Sequence, residues 1–360
     1  MRRRWPPSTR SSWSRSRAVN IGILGGGNIS DTHARAAAAI PGVRIVACHG
    51  GNRERAAKIA AQHGAAVYDD LESFLDHRPM EIVAIGSPSG LHAQQGIAAA
   101  GRGLHVLSEK PLDITTRRAD ELIDACANAG VKLGVFFQDR LRPAVVEIKR
   151  MLNHGELGKP VMIAGRVRWY RPPEYYSGSK WRGTWELDGG GALMNQAIHT
   201  VDLVQWMFGP VARVSAAVAT RVHEIEVEDT AAAVIEFTSG AIGTLEAATS
   251  LFPGYPRRIE ITGSEGTIVL EDDKIIRRDL RSSSGVATAL APEMPPPENV
   301  ASPVVSDASA HQRVIEDFIR AIRDNTVPAT DGREARRSVE LVETIYAAAR
   351  KGRALAPGDA

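Results

Sequence analysis

Over the first 140 positions, short apolar runs alternate with segments of helical spacing. Val19 to Leu24, Val43 to Cys48, Ile82 to Ile85, His105 to Ser108 and Leu133 to Phe137 read as buried strands. Between them His33 to Ile40, Arg53 to His63, Leu71 to Asp76 and Leu91 to Ala100 read as helices. That rhythm predicts a parallel α/β sheet with right-handed crossovers. Past Phe137 the pattern changes. Pro143 to Asn153 predicts a connecting helix, and then strands dominate: Val161 to Tyr170, Val211 to Thr220, Ala231 to Phe237, Ala241 to Thr249, Arg257 to Thr262 and Thr267 to Leu270. These predict a mixed or antiparallel sheet with one face covered. Arg281 to Pro303 carries five prolines and reads as a surface excursion, while Ala308 to Arg323 and Arg333 to Arg350 have amphipathic spacing. The expected division is a tail over 1–17, a parallel α/β domain over 18–140, an α+β domain with an open, mostly antiparallel sheet over 141–306, and returning helices over 307–352.

Composition narrows the class. No apolar run approaches the roughly 20 residues needed to cross a membrane, so no membrane partner is expected. The two cysteines, Cys48 and Cys126, both lie in apolar segments, which argues against a disulfide framework and for a reducing, cytoplasmic setting. The formal charge is +2, but residues 1–17 hold six arginines and no acid, so removing them leaves −4 on the remainder. The body therefore lacks the basic signature of a nucleic-acid binder. The tail itself reads as disordered. Arg2-Arg3-Arg4 suggests a twin-arginine export signal, but no apolar stretch follows before Val19, so export is not expected.

The chemistry begins at Gly25-Gly26-Gly27-Asn28-Ile29-Ser30, between the first strand and the first helix. Gly25 and Gly27 supply a tight turn and close backbone approach to a pyrophosphate, which would sit at the helix N-terminus; Asn28 and Ile29 open that helix, and Ser30 replaces a third glycine with another small residue. The domain is thus expected to be a Rossmann dinucleotide-binding domain. Lys110 ends the strand formed by His105 to Ser108, in Ser108-Glu109-Lys110-Pro111. A lysine at the carboxyl end of a parallel strand points into the ligand crevice, and partial burial lowers its pKa.

With Ser87-Pro88-Ser89-Gly90-Leu91-His92, Glu109-Lys110-Pro111 and the glycine-led Gly189 to Asp202, these motifs resemble the Gfo/Idh/MocA oxidoreductases, the glucose-fructose oxidoreductase and inositol dehydrogenase group. The resemblance runs from about residue 19 to 352. It implies an active-site histidine, His199, on a helix beginning near Ala192. On that helix Asn195, His199 and Asp202 would share a face. Hydride transfer from an alcohol carbon needs a partner for the hydroxyl proton and a cation to steady alkoxide charge, and Lys110 and His199 can supply both. Asn195 would be a hydroxyl or imidazole partner, and Asp202 would orient the ring or meet substrate. Many relatives carry aspartate where Asn195 stands; an amide cannot act as a base, which shifts the proton chemistry to Lys110 and His199. Too few ligands gather in this motif for a metal, and none is expected.

Cofactor choice turns on the end of the second strand, where His49 stands instead of an acidic residue, followed by Gly50, Gly51, Asn52 and Arg53. Asn52 and Arg53 could grip a 2′-phosphate, so NADP is preferred and NAD remains open. Ser87, Pro88, Leu91 and His92 are expected along the nicotinamide half, with Glu109 and Gln138 also near the cofactor. Arg140, Arg166, Trp181 and Arg182 join Lys110, Asn195 and His199 as expected substrate contacts, since aromatic rings and arginine together suit a sugar. The leading function is an NAD(P)-dependent oxidoreductase of a sugar, sugar derivative or cyclic polyol. The competing readings are a glycosidase of the same family, which would release free sugar without net nicotinamide change, and an inactive cofactor-binding regulator. A homodimer or homotetramer joined through the second sheet is expected.

Overall fold

The computed structural model describes residues 18–282, 285–290 and 308–359. Its first sheet is parallel and centred on β1 (Val19–Leu24), every residue of which is buried. Around it lie β2 (Val43–His49), β3 (Ala66–Tyr68), β4 (Ile82–Ile85), β5 (His105–Ser108) and β6 (Leu133–Val135), in the spatial order β3-β2-β1-β4-β5-β6. The crossover helices are α1 (Asn28–Ala38), α2 (Arg53–His63), α3 (Leu71–Leu75), α4 (His92–Ala100) and α5 (Thr116–Asn128). The direction of strand succession reverses between β1 and β4. Ligands bind outside the carboxyl ends of strands at such a switch point, which is where the glycine turn and Lys110 both lie.

The helix α6 (Pro143–Asn153) leads into the second sheet. β7 (Pro160–Arg168) is followed by the short helix α7 (Pro173–Ser177), a π-helical turn (Ala192–Ala197) and α8 (Ile198–Phe208). Then come β8 (Val211–Ala219), β9 (Thr230–Phe237), β10 (Ile242–Ala248), β11 (Arg258–Gly263), β12 (Gly266–Glu271), β13 (Lys274–Ser282) and β14 (Gly285–Leu290). Their order is β14-β13-β12-β11-β7-β10-β9-β8, antiparallel except for the parallel pair of β7 with β10. Strict alternation sets the two faces. In β9, Ala231, Ala233, Ile235 and Phe237 are buried while Ala232, Val234 and Glu236 are exposed. The buried face packs on α8, so closely at Gly165 that a Cβ there would meet Thr200 at 2.8 Å.

The excursion expected from Arg281 begins differently. Ser282 pairs with Gly285 and Arg277 with Leu290, so β13 and β14 form a hairpin that extends the sheet edge. All of β14 is exposed, which means its backbone ladder holds it and burial does not; apolar patterning therefore gave no warning. Residues 1–17 and 291–307, including the expected tail and the proline cluster, lie outside the described residues.

The last two helices, α9 (Ser309–Arg323) and α10 (Gly332–Lys351), return to the body. Val314, Ile315, Phe318, Ile319 and Ile322 of α9 join the same apolar cluster as Ile21 and Ile23 of β1. At about 1.5–3 kcal/mol for each fully buried side chain, that face secures α9 to the first domain. α10 packs against α5 and α8, bridging the two sheets.

Candidate functional site

The cofactor half is built by the glycine turn. Gly25 has φ of +134°, and a Cβ there would lie 2.3 Å from Ser30 Oγ and 2.6 Å from the Gly86 carbonyl oxygen, so only glycine fits. Gly27 has open space around its Cα, and no side chain caps α1 behind it. The first amides of α1, at Asn28 and Ile29, are thus left for a ligand, and the helix dipole favours a pyrophosphate there. Ser30 is fully buried, with Oγ 3.4 Å from the Gly86 oxygen, consistent with a small residue taking a glycine's place.

Lys110 sits one residue past the neighbour of β5, followed by a cis bond to Pro111. His92 holds this loop: it lies 2.8 Å from the Pro111 carbonyl oxygen through Nδ1 and 3.0 Å from the Ser87 carbonyl oxygen through Nε2. At 1% exposure His92 is a clamp between two loops and does not face the crevice as expected. Glu109 is also buried. Its Oε1 lies 2.9 Å from His33 Nε2 and its Oε2 accepts from the Lys110 amide at 3.0 Å. Burial opposes ionisation of Glu109, but the His33 hydrogen bond and the charges of His33, His311 and Lys110 hold its carboxyl at about 2. The donor atoms of His33, Glu109 and His311 lie within 4.8 Å of one another, a three-residue cluster the sequence reading did not anticipate. Glu109 therefore acts beneath the site, as a buried anion next to Lys110, and not on its surface.

The second domain supplies the opposite wall. A π-helical turn over Ala192–Ala197 replaces the expected start of an α-helix. Such turns are frequent at functional sites. Here it presents the Asn195 carbonyl oxygen to Lys110 Nζ at 2.9 Å, joining the domains through the two expected residues. The Asn195 side chain is engaged elsewhere: its amide nitrogen donates to Asp188 Oδ1 and its oxygen accepts from Gln196 Nε2 at 2.6 Å. Asp188 was missed in the sequence. It stands immediately before Gly189-Gly190-Gly191, is 1% exposed, and accepts from the Gly183 amide at 2.9 Å. Burial pushes its carboxyl up to about 6. A carboxylate thus reaches this wall from seven residues upstream, held by Asn195.

His199, the first full turn of α8, lies edge-on to Phe137 with ring centroids 5.7 Å apart. Gln138 Nε2 is 3.4 Å from His199 Nε2. Burial holds the imidazole down at about 3, so it is neutral across the working range, and Lys110 and Asp139 both act on it electrostatically. Burial likewise lowers Lys110, against the opposing pull of Glu109 and Asp188. Gln138 Oε1, His199 Nδ1 and Arg182 Nε are buried without a hydrogen-bond partner among the described residues. Buried polar atoms are normally paired, so these three suit groups on a ligand.

Several expected contacts lie elsewhere. Asp202 turns from His199 to Arg140, which donates Nε to Oδ2 at 2.7 Å and Nη2 to Oδ1 at 2.6 Å. Both are buried, so Arg140 and Asp202 are a structural pair. Opposite charges excluded from water dominate the helical spacing that suggested a shared face with His199. Arg166 projects from the open face of the second sheet and pairs with Glu260 at 3.2 Å, away from α8. His49 Nδ1 lies 3.0 Å from the Tyr68 oxygen, Asn52 caps α2 by accepting from the Arg55 amide, and Arg53 pairs with Asp69. Ser87 Oγ donates to Gln95 at 2.6 Å, while Pro88 and Leu91 flank the partly exposed loop above it. Arg182 remains near the site, 4.2 Å over the Tyr175 ring and 5.5 Å from the Trp181 ring.

Comparison with known proteins identifies the family. Residues 19–137 match the oxidoreductase family with NAD-binding Rossmann fold, and residues 145–269 match the GFO/IDH/MocA C-terminal domain. D-apiose dehydrogenase of Paraburkholderia graminis is 29% identical over 339 residues, 92% of this chain and 88% of that protein. Levoglucosan dehydrogenase of Pseudarthrobacter phenanthrenivorans is 29% identical over 71% of this chain and 74% of its own. Among solved structures, the WlbA dehydrogenase of Bordetella pertussis, in complex with NADH and UDP-GlcNAcA, superposes with a TM-score of 0.83 at 32% identity, over 94% of this chain and 98% of its own. Two matched domains in sequence order, and that likeness along nearly the whole length, establish that the chain belongs to the Gfo/Idh/MocA family of NAD-binding oxidoreductases.

Proposed function

We propose that this protein is an NAD(H)-dependent dehydrogenase of a secondary hydroxyl on a sugar or cyclic polyol, with Lys110 as the proton acceptor. One observation carries the reading: Lys110 Nζ, at the carboxyl end of β5, is held 2.9 Å from the Asn195 carbonyl of the opposite wall, with buried Glu109 and Asp188 acting on its charge. When bound, the nicotinamide supplies the hydride acceptor. Lys110 in its neutral form takes the hydroxyl proton, and the resulting ammonium stabilises alkoxide character on the substrate. His199, kept neutral by burial, offers its unpartnered ring nitrogen as a positioning hydrogen bond; this narrows its expected role as acid and base. Purified protein mixed with NAD and a panel of polyols, aldoses and keto-sugars should change nicotinamide absorbance. Release of free sugar without that change would support a glycosidase, and silence with every compound would reject the dehydrogenase reading.

NAD is the cofactor we propose over the NADP suggested by residues 49–53. Asn52 is committed to capping α2, Arg53 is already paired with Asp69, and the neighbouring Asp70 carboxylate caps α3. With Asn52 and Arg53 so engaged, a 2′-phosphate would have to compete with Asp69 for Arg53. The ratio of kcat/KM is expected to favour NAD by about tenfold, the equivalent of ~1.4 kcal/mol; parity or a preference for NADP would reject this assignment.

We also propose a cytoplasmic homo-oligomer. Cys48 and Cys126 are buried free thiols, which suits a reducing compartment. Met162, Val234 and Ile242 stand exposed on the open sheet face, beside the Arg166–Glu246 and Arg213–Glu236 pairs. Exposed apolar side chains ringed by charge suit a self-complementary contact. Light scattering after size-exclusion chromatography should give a dimer or tetramer mass, and Val234→Glu should shift it toward the monomer; a monomeric wild-type protein would refute the proposal.

A further inference from the structure

Arg182 differs from the arginines of its domain that are held by carboxylates. Arg166, Arg168, Arg213, Arg257 and Arg258 each pair with a carboxylate, whereas Arg182 forms no ion pair among the described residues. Its Nη1 makes one long bond, 3.4 Å, to the Tyr175 oxygen, and its Nε is buried without a partner. The guanidinium is fixed all the same, lying 4.2 Å over the Tyr175 ring. Tyr175 is in turn tied to the active site: its hydroxyl accepts from Gln196 Nε2 at 2.8 Å, Gln196 also donates to Asn195, and the Asn195 carbonyl holds Lys110. Arg171 stiffens the same wall by donating twice to Gln196 Oε1, at 3.0 and 2.8 Å. A braced cation with no direct ion pair among the described residues, its charge felt by Asp188, therefore lies a short chain of contacts from the proposed proton acceptor, beside aromatic rings of the kind that stack on sugars.

We propose that Arg182, braced by Tyr175 and Trp181, binds a carboxylate on the substrate, so that the preferred substrates are sugar acids. This rests on the dehydrogenase reading of the same site. The planar fork of a guanidinium matches a carboxylate through two parallel hydrogen bonds. One guanidinium without a direct ion pair suits one carboxylate; a phosphate dianion would call for a second cation, and Arg171 is already engaged with Gln196.

Isothermal titration of the NADH-saturated enzyme with D-glucuronate, D-galacturonate, their methyl esters, D-glucose and D-glucose 6-phosphate tests the assignment. A hydrogen bond to a charged group contributes about 1.5–3 kcal/mol, so at least one acid should bind on the order of 10–100-fold more tightly than its ester. In Arg182→Gln the acid-to-ester ratio should collapse toward one, and in Arg182→Lys, which keeps the charge but loses the fork, it should fall between. Retained NADH binding would show that both variants fold. Equal binding of acids and esters, tighter binding of the phosphate or glucose, no binding by any acid, or an unchanged ratio in Arg182→Gln would overturn the proposal. Turnover of neutral sugars alone would overturn it while leaving the dehydrogenase reading intact. Selective acid binding with no NADH formed from NAD and any sugar would do the reverse.

Discussion

Lys110→Met should lower kcat/KM for sugar oxidation by about 10²–10⁴-fold, the range that a positioned proton-transfer group contributes. Methionine keeps the length and apolar stem of the lysine but neither its proton chemistry nor its charge. The loss should fall mainly on kcat, because the lysine acts most strongly once alkoxide character develops. NADH affinity, read from nicotinamide fluorescence, should change far less, since the glycine turn and the start of α1 lie on a separate part of the crevice. Retention of wild-type kcat in this variant would remove Lys110 from the mechanism.

The pH profile gives the same residue an independent signature. Burial lowers the Lys110 pKa, while Glu109 and Asp188 raise it. Asp188, at about 6, is ionised at neutral pH and exerts its charge there. Removing that charge by Asp188→Asn makes the ammonium less favourable, so the Lys110 pKa should fall further. Oxidation needs the neutral amine; the rising alkaline limb of its kcat/KM profile should therefore move to lower pH in Asp188→Asn and vanish in Lys110→Met. A limb that stays in place in both variants would assign it to another group.

The parts of this site that could be read in the sequence are those set by local chemistry. Gly25 marks a turn whose backbone demands show directly in residue type, and Lys110 follows an apolar strand whose end must face the crevice of a parallel sheet. Five strands of the first sheet were legible for the same reason, since buried strands read as apolar runs; β3, three half-buried residues, was not. What escaped depends on pairing across the chain. Asp188 reads as an ordinary loop acid until the π-helical turn brings Asn195 to it; the only hint was a carboxylate directly ahead of three glycines. Arg140 and Asp202 are 62 positions apart, and each on its own looked like a ligand group. His33, Glu109 and His311 come from three elements, the last of them α9, whose amphipathic spacing was clear but whose docking place beside β1 was not. β13 and β14 bury too little to leave an apolar pattern.

Asp202→Leu should destabilise the fold by about 3–5 kcal/mol, the range measured when one member of a buried ion pair is removed. Arg140 is 4% exposed and makes two short bonds to Asp202; its other anionic partner, Glu334, is partly exposed and farther away at 3.3 Å. Without Asp202 a guanidinium stays in the interior next to Trp206, 5.3 Å from the ring centroid, and the Ser338 hydroxyl loses its 3.0 Å acceptor. The pair joins three elements: the loop after β6, α8 and α10. Its loss should therefore loosen the junction between the domains, where His199 is also anchored. Arg140→Met combined with Asp202→Leu removes both charges, so the double variant should recover much of the loss, because a well-packed apolar pair can be as stable as a buried ion pair. Urea unfolding followed by circular dichroism reads the three variants. Asp202→Asn separates structure from chemistry: with a structural role, its kcat should track the folded fraction and its KM for sugar should stay near wild type. A large KM increase in a fully folded Asp202→Asn protein would instead return Asp202 to the substrate.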